Sequence, residues 1–302
     1  MPDLSTRLTS LHLKNPTILA SGILGEDAGS IHRIIKSGAG AIVTKSIGLT
    51  AREGYPNPTV VELETGLLNA MGLPNPGIEN YAEEMKQLTP RTIPLIGSIY
   101  AANAEEFVTL AQRMQHYGAD ALELNLSCPH AKGYGLEIGS DPHLIHEITK
   151  KVKETVQLPV FVKLSPNVTN IVELAKAAES AHADGIVAIN TLKAMKIDLE
   201  THTPILANKI GGYSGRGIKP IGIRCVYEIA EHVKIPIIGT GGISTAEDAL
   251  EYIMAGASAV QIGTALYSEG PDIFKKICTE MNTWMKTHHY TKLSELIGVA
   301  HL

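Results

Sequence analysis

The feature that most constrains the fold is a unit repeated along the chain: a short apolar run ending in small or polar residues, then a stretch with helical periodicity. The runs are TILASG at 17–22, AIVTKS at 41–46, PLIGSIY at 94–100, ALELNLS at 121–127, PVFVKL at 159–164, GIVAINT at 185–191, PIIGTGG at 236–242 and AVQIGTA at 259–265. Most lack clean alternation, the mark of strands buried on both faces, as in a parallel sheet covered by helices. Helical patterns fill the gaps at 104–117, 142–156, 168–182 and 218–233, and a further helix-like stretch runs to Ser37. Eight such units in 302 residues predict an α/β fold, a (β/α)8 TIM barrel forming one domain over 1–302, with a small hairpin in the polar opening. A doubly wound open sheet would carry a glycine-rich fingerprint after its first strand, and Ser21-Gly22-Ile23-Leu24-Gly25 lacks that spacing. Two connections are long, 47–76 after strand two and 192–217 after strand six. Long loops inside a compact domain are usually functional, and these leave the strand C-terminal ends, the active face of a barrel.

Composition narrows the partner. A net charge of -5 without a dense Lys/Arg block argues against nucleic acid or an anionic membrane surface, which leaves a small molecule. Three widely spaced cysteines form no C-x-x-C pair, so neither a disulfide framework nor a metal cluster is expected, and the reducing cytoplasm fits best. The twelve histidines show no H-x-x-x-H pattern, and no metal is assigned. No signal core and no membrane-spanning run is expected.

Chemistry gathers at the strand ends. In ALELNLSCPH, period-two alternation sets Glu123, Asn125 and Ser127 against Leu122, Leu124 and Leu126, and Pro129 stops the strand with the Cys128 thiol at its tip. A lone cysteine is commonly a small buried apolar filler. Gly133, Gly135 and Gly139 follow it, however, and suit a loop that opens and closes over a reactive thiol. Lys45 and Lys163 close apolar runs, so each needs an ion pair, a route to water or an anionic ligand; two at equivalent ends favour the ligand. Gly241-Gly242 after strand seven and Gly263-Thr264 after strand eight suit a phosphate, beside an S-x-x-E capping box at Ser244 to Glu247. Tight turns alone explain such glycines singly; their joint placement points to a phosphorylated cofactor or substrate. Asn69, Asn125 and Asn190 add amides that complement a ring of alternating C=O and N-H groups, although a single asparagine more often caps a loop.

Together, LELNLSCPH, AIVTKSIG, NAMGLPNPG, FVKLSPN, INTLKAMKIDLETHTP, GGYSGRGIKP, GTGGI and QIGTA resemble class 1 dihydroorotate dehydrogenases over nearly the whole chain. The stretch from Leu192 to Lys219 is similar to the NAD-linked B subclass. The resemblance implies an FMN-holding catalytic chain that oxidises dihydroorotate to orotate in pyrimidine biosynthesis. Electrons would pass to NAD through a second subunit carrying FAD and a 2Fe-2S cluster, in a heterotetramer of two catalytic and two electron-transfer chains. It makes Cys128 the base that takes a proton from C5 of dihydroorotate while hydride leaves C6 for N5 of FMN. It assigns Lys45, Asn69, Met71, Gly72, Leu73, Asn125, Asn190 and Thr191 to the pyrimidine and its carboxylate. Ser21, Lys45, Ser46, Asn125, Lys163, Ile189, Gly215, Gly241, Gly242, Gly263 and Thr264 would hold FMN, with Lys163 on the N1 side of the reduced flavin. Two positions depart from many members, which carry asparagine where this chain has Ser98 and His130. Both are reminiscent of the FMN domain of dihydropyrimidine dehydrogenase, so a uracil-type reductase is the enzymatic alternative. A non-catalytic phosphate-ligand-binding barrel is the alternative outside enzymes.

Overall fold

The computed structural model describes residues 1–126 and 136–301. Strand one is Thr17–Leu19, two Ala41–Val43, three Leu95–Ile99, four Ala121–Asn125, five Val160–Leu164, six Gly185–Ala188, seven Ile237–Thr240 and eight Ala257–Ile262. Each pairs in parallel with its sequence neighbour, and strand eight returns to strand one through Val260↔Thr17, so the sheet closes as the expected (β/α)8 TIM barrel. Several strands stop earlier than the apolar runs suggest. Strand six ends at Ala188 rather than 191, and strand eight spans 257–262 rather than 259–265, because Ala265 already opens a short helix, Ala265–Glu269.

Helix Ala104–His116 illustrates how the outer layer forms. Ala104, Phe107, Leu110, Ala111 and Met114 make one buried face, the Asn103 side chain accepts from the Glu106 N-H at the start, and Gly118 follows the end with φ 85°. Helix Ile171–Ser180 begins three residues later than the periodicity suggests, because Asn170 caps it by accepting from Val172. None of the described helices is long and apolar enough to cross a membrane.

The polar opening forms the expected antiparallel hairpin, Thr6–Leu8 with Leu11–Leu13. Its Leu8, Leu11 and Leu13 cluster with Ile18, Ala41, Ala121, Phe161 and Ala259 from the early parts of the barrel strands. The hairpin thus plugs the N-terminal end of the barrel and leaves the C-terminal end as the way in.

That open end is framed by an element absent from the sequence expectation. The two long connections pair with each other in a four-stranded antiparallel sheet, ordered Leu192–Ala194, Gly211–Ser214, Gly66–Asn69, Val60–Leu63. Asn69 therefore lies at a strand end rather than in an open loop. Leu68, Ala70 and Leu206 form a small separate core beneath it, with Tyr55 and Tyr213 packed alongside. Gly215 lets the two connections meet: its φ is +101°, and a Cβ there would come within 2.6 Å of Gly66 Cα.

Candidate active site

Parallel strands around a closed barrel deliver all their C-terminal ends to one mouth, and there the structure has a cavity of about 920 Å³. The strand-end residues Ser21, Lys45, Ser46, Asn125, Lys163, Ile189, Asn190, Thr191, Gly241, Gly242, Gly263 and Thr264 all line it. Asn69, Met71, Gly72 and Leu73 reach it from the first long connection and Gly215 from the second. Every candidate is thus brought to one place except Cys128, which lies outside the described residues together with Gly133, Gly135 and His130.

The floor is a buried polar triad. Lys163 Nζ donates to Gln261 Oε1 at 3.1 Å and lies 3.4 Å from Glu123 Oε1, while Gln261 Nε2 donates to Glu123 Oε2 at 2.6 Å. Glu123 is 0% exposed, Gln261 1% and Lys163 6%, so the charges compensate one another in a dry interior. Of the readings open for Lys163, the ion pair is realised, and the same side chain borders the cavity. Sequence reasoning passed over Glu123 and Gln261. The available signal was their position: each is a long polar side chain interrupting the apolar run of a buried strand, and Glu123 shares its face with Asn125.

One wall carries hydroxyls and amides. Asn125 Nδ2 donates to Ser46 Oγ at 3.0 Å, Ser46 Oγ lies 3.1 Å from Ser21 Oγ, and Asn190 Nδ2 faces Asn125 Oδ1 at 3.5 Å. Lys45 sits at the rim with its ammonium 3.6 Å from Glu26, whose carboxylate is largely exposed. An exposed partner at that distance holds Lys45 weakly, which leaves its charge available to an anionic ligand.

The glycine loops follow strands seven and eight. Among the described residues, the backbone N-H groups of Gly241, Gly242, Gly263 and Thr264 donate to no protein acceptor. Gly242 takes φ +75°, and a Cβ on it would meet Gly215 O at 2.8 Å and Lys219 N at 2.9 Å, so only glycine closes this turn. A group of unpaired N-H donors in one concavity is the donor set an anion such as phosphate requires.

The capping box beside these loops is displaced by one residue from the sequence reading. Thr245, not Ser244, is the N-cap of helix Ala246–Met254, and Asp248, not Glu247, is its reciprocal partner. Thr245 has the extended backbone a cap needs, and Asp248 Oδ2 accepts from the Ser244 and Thr245 N-H groups and the Ser244 hydroxyl. Asp248 also holds Lys219 at 2.8 Å, tying this helix to the start of helix Lys219–Ala230. Burial pushes the Asp248 carboxyl up, but Lys219 and the Ser244 donors outweigh it, so the group titrates below its ordinary 3.8. Its stabilisation is complete above that value and is lost as pH falls through the lower folded one. The stability advantage of wild type over Asp248→Asn, from urea unfolding at stepped pH between about 6 and about 3, is expected to shrink in acid; a pH-independent difference would refute the assignment.

The same arrangement has close relatives. The dihydroorotate dehydrogenase family model matches residues 3–285. The chain is 53% identical to the catalytic subunit of dihydroorotate dehydrogenase B (NAD(+)) from Thermoplasma acidophilum, over 99% of both chains. It is 52% identical to the protein of that name from Methanocaldococcus jannaschii, over 99% of this chain and 98% of the other. A crystal structure of DHODH from Eimeria tenella in complex with ferulenol superposes with a TM-score of 0.85 at 23% identity, covering 100% of this chain and 89% of that one, and shares the fold. A barrel whose long connections frame a cavity lined by the motif residues, together with relatives of this identity over their full length, makes the chain a member of the dihydroorotate dehydrogenase family.

Proposed function

We propose that the chain is the catalytic subunit of an NAD-linked dihydroorotate dehydrogenase, which oxidises (S)-dihydroorotate to orotate in pyrimidine biosynthesis with FMN bound in the barrel mouth. The observation that carries the reading is the convergence in one cavity of a buried ammonium, an amide set and a concavity of unpaired N-H donors. The residues fit the cofactor. The loops of Gly215, Gly241, Gly242, Gly263 and Thr264 would take its phosphate, while Ser21, Ser46, Asn125, Lys163 and Ile189 would border its ring system. Bound there, FMN supplies the hydride acceptor.

Oxidation of a CH-CH bond removes a proton from one carbon and a hydride from its neighbour. Cys128 would take the proton from C5, as a base on the far side of the substrate from the cofactor. Asn69, Asn125, Asn190 and Thr191, with the backbone of Met71, Gly72 and Leu73, would orient the pyrimidine, and Lys45 would bind its carboxylate. Residues 1–302 act as one domain in the cytoplasm. The electrons leave through a partner subunit carrying FAD and a 2Fe-2S cluster, two of each chain forming the assembly.

The test is anaerobic stopped-flow absorbance of the purified chain mixed with dihydroorotate and, separately, with dihydrouracil. Rapid loss of the oxidised-flavin band with dihydroorotate alone is expected. Bleaching by dihydrouracil instead would transfer the chain to the uracil-type reductases, and a preparation unable to take up FMN would refute the flavin reading.

A further inference from the structure

The hydroxyl and amide wall of the cavity is a hydrogen-bond chain whose direction is set at one end. The Thr191 backbone N-H can only donate, and it donates to Asn190 Oδ1 at 2.8 Å. This turns the Asn190 amide nitrogen toward Asn125 Oδ1, and hence the Asn125 amide nitrogen toward Ser46 Oγ. Ser46 Oγ also lies 2.9 Å from Ser98 Oγ. Ser98 is fully buried on strand three and does not border the cavity; among the described residues Ser46 is the only partner of its side chain. Buried donors are left unpaired far more rarely than lone pairs, so Ser98 donates. Ser46 then accepts from both Asn125 and Ser98, and its own proton goes to Ser21 Oγ, 3.1 Å away. Ser21 receives that proton, finds no further protein partner among the described residues, and lines the cavity with its own O-H left to give.

We infer that Ser98 is a positioning residue that, acting through Ser46, makes the Ser21 hydroxyl a hydrogen-bond donor to a ring carbonyl oxygen of the bound flavin. The inference rests on the flavin reading above. Without the Ser98 hydroxyl, Ser46 has a lone pair to spare and can accept from Ser21, so Ser21 no longer has to face the ligand as a donor. A donor at a ring acceptor also favours the electron-rich reduced form, so its loss lowers the midpoint potential of the bound flavin.

The experiment measures FMN affinity of the apoprotein by fluorescence quenching, and the midpoint potential of the reconstituted holoprotein by dye equilibration, for wild type, Ser98→Ala, Ser21→Ala and the double variant. Ser98→Ala is expected to weaken FMN binding by roughly two- to fivefold, up to the worth of one neutral hydrogen bond, and to lower the potential. In the Ser21→Ala background the same change is expected to do nothing further, because Ser98 acts only through Ser21. Ser98→Thr, which keeps the hydroxyl, is expected to restore both quantities. Effects that add in the double variant would show a merely structural role and overturn the inference. FMN uptake by wild type with Ser98→Ala indistinguishable from it would overturn the inference and leave the flavin reading standing. A wild-type chain that takes up no FMN would overturn both. Should Ser98→Ala fail to fold, Ser98→Cys, similar in volume and a weak donor, carries the same expectation, and wild-type affinity and potential in that variant would overturn the inference.

Discussion

Serine in place of Cys128 is expected to leave FMN bound while slowing flavin reduction by dihydroorotate by about 10²- to 10⁴-fold at neutral pH, the usual range for loss of a positioned base. Cys128 lies outside the described residues, so the expectation rests on its place after Asn125 and Leu126 and on the family pattern. A thiol of ordinary pKa near 8.5 is a few per cent thiolate at pH 7, whereas a serine hydroxyl is essentially never ionised there. The loss should therefore fall on proton removal, with FMN affinity unchanged. Single-turnover stopped-flow at stepped pH separates the two. Near-wild-type bleaching by the variant at pH 7 would remove Cys128 from the chemistry.

The second large effect is on stability. Methionine at Lys163 keeps the length of the side chain but strips the counter-charge from Glu123, which is fully buried and, among the described residues, retains only Gln261 as a partner. Breaking a buried pair by removing one member costs about 3–5 kcal/mol, because the remaining charge is left uncompensated. In a domain of this size that corresponds to a fall in Tm of about 5–8 °C, measured by calorimetry on the apoprotein. The paired change Lys163→Met with Glu123→Gln is expected to recover much of the loss, since it removes both charges. A single variant as stable as wild type would mean that the Lys163–Glu123 contact does not hold the barrel floor together. The contrast with Lys45 is instructive. Its partner Glu26 is mostly exposed and its ammonium borders the cavity, so its replacement should weaken ligand binding far more than folding.

Much of this site was legible because a barrel converts order along the chain into position around a ring. Once eight strand-helix units are recognised, the residue following each apolar run must lie at the same mouth. Lys45, Asn125, Asn190, Gly241 and Gly263 could therefore be grouped without any knowledge of contacts. The capping box was placed one residue early because S-x-x-E and T-x-x-D overlap at 244–248. Only the backbone distinguishes them: Thr245 takes the extended conformation of a cap, and Asp248 reaches back to Ser244 and Thr245.

The sequence by itself determined the eight barrel strands, though not all of their ends, together with their parallel closure and the face that carries the chemistry, because the alternation of apolar run and helical spacing is local and recurs along the chain. Only the tertiary structure decided who meets whom across the ring. Glu123 finds Gln261 138 residues away, Ser98 finds Ser46 across 52 residues, and Gly211–Ser214 pairs with Gly66–Asn69 to frame the mouth. Those meetings follow from barrel closure and side-chain packing, which act between residues with no shared local pattern. Alternation marked Glu123 as facing the same way as Asn125, but its partners, the Lys163 charge from the neighbouring fifth strand and the Gln261 amide from the eighth, become visible only when the barrel is assembled.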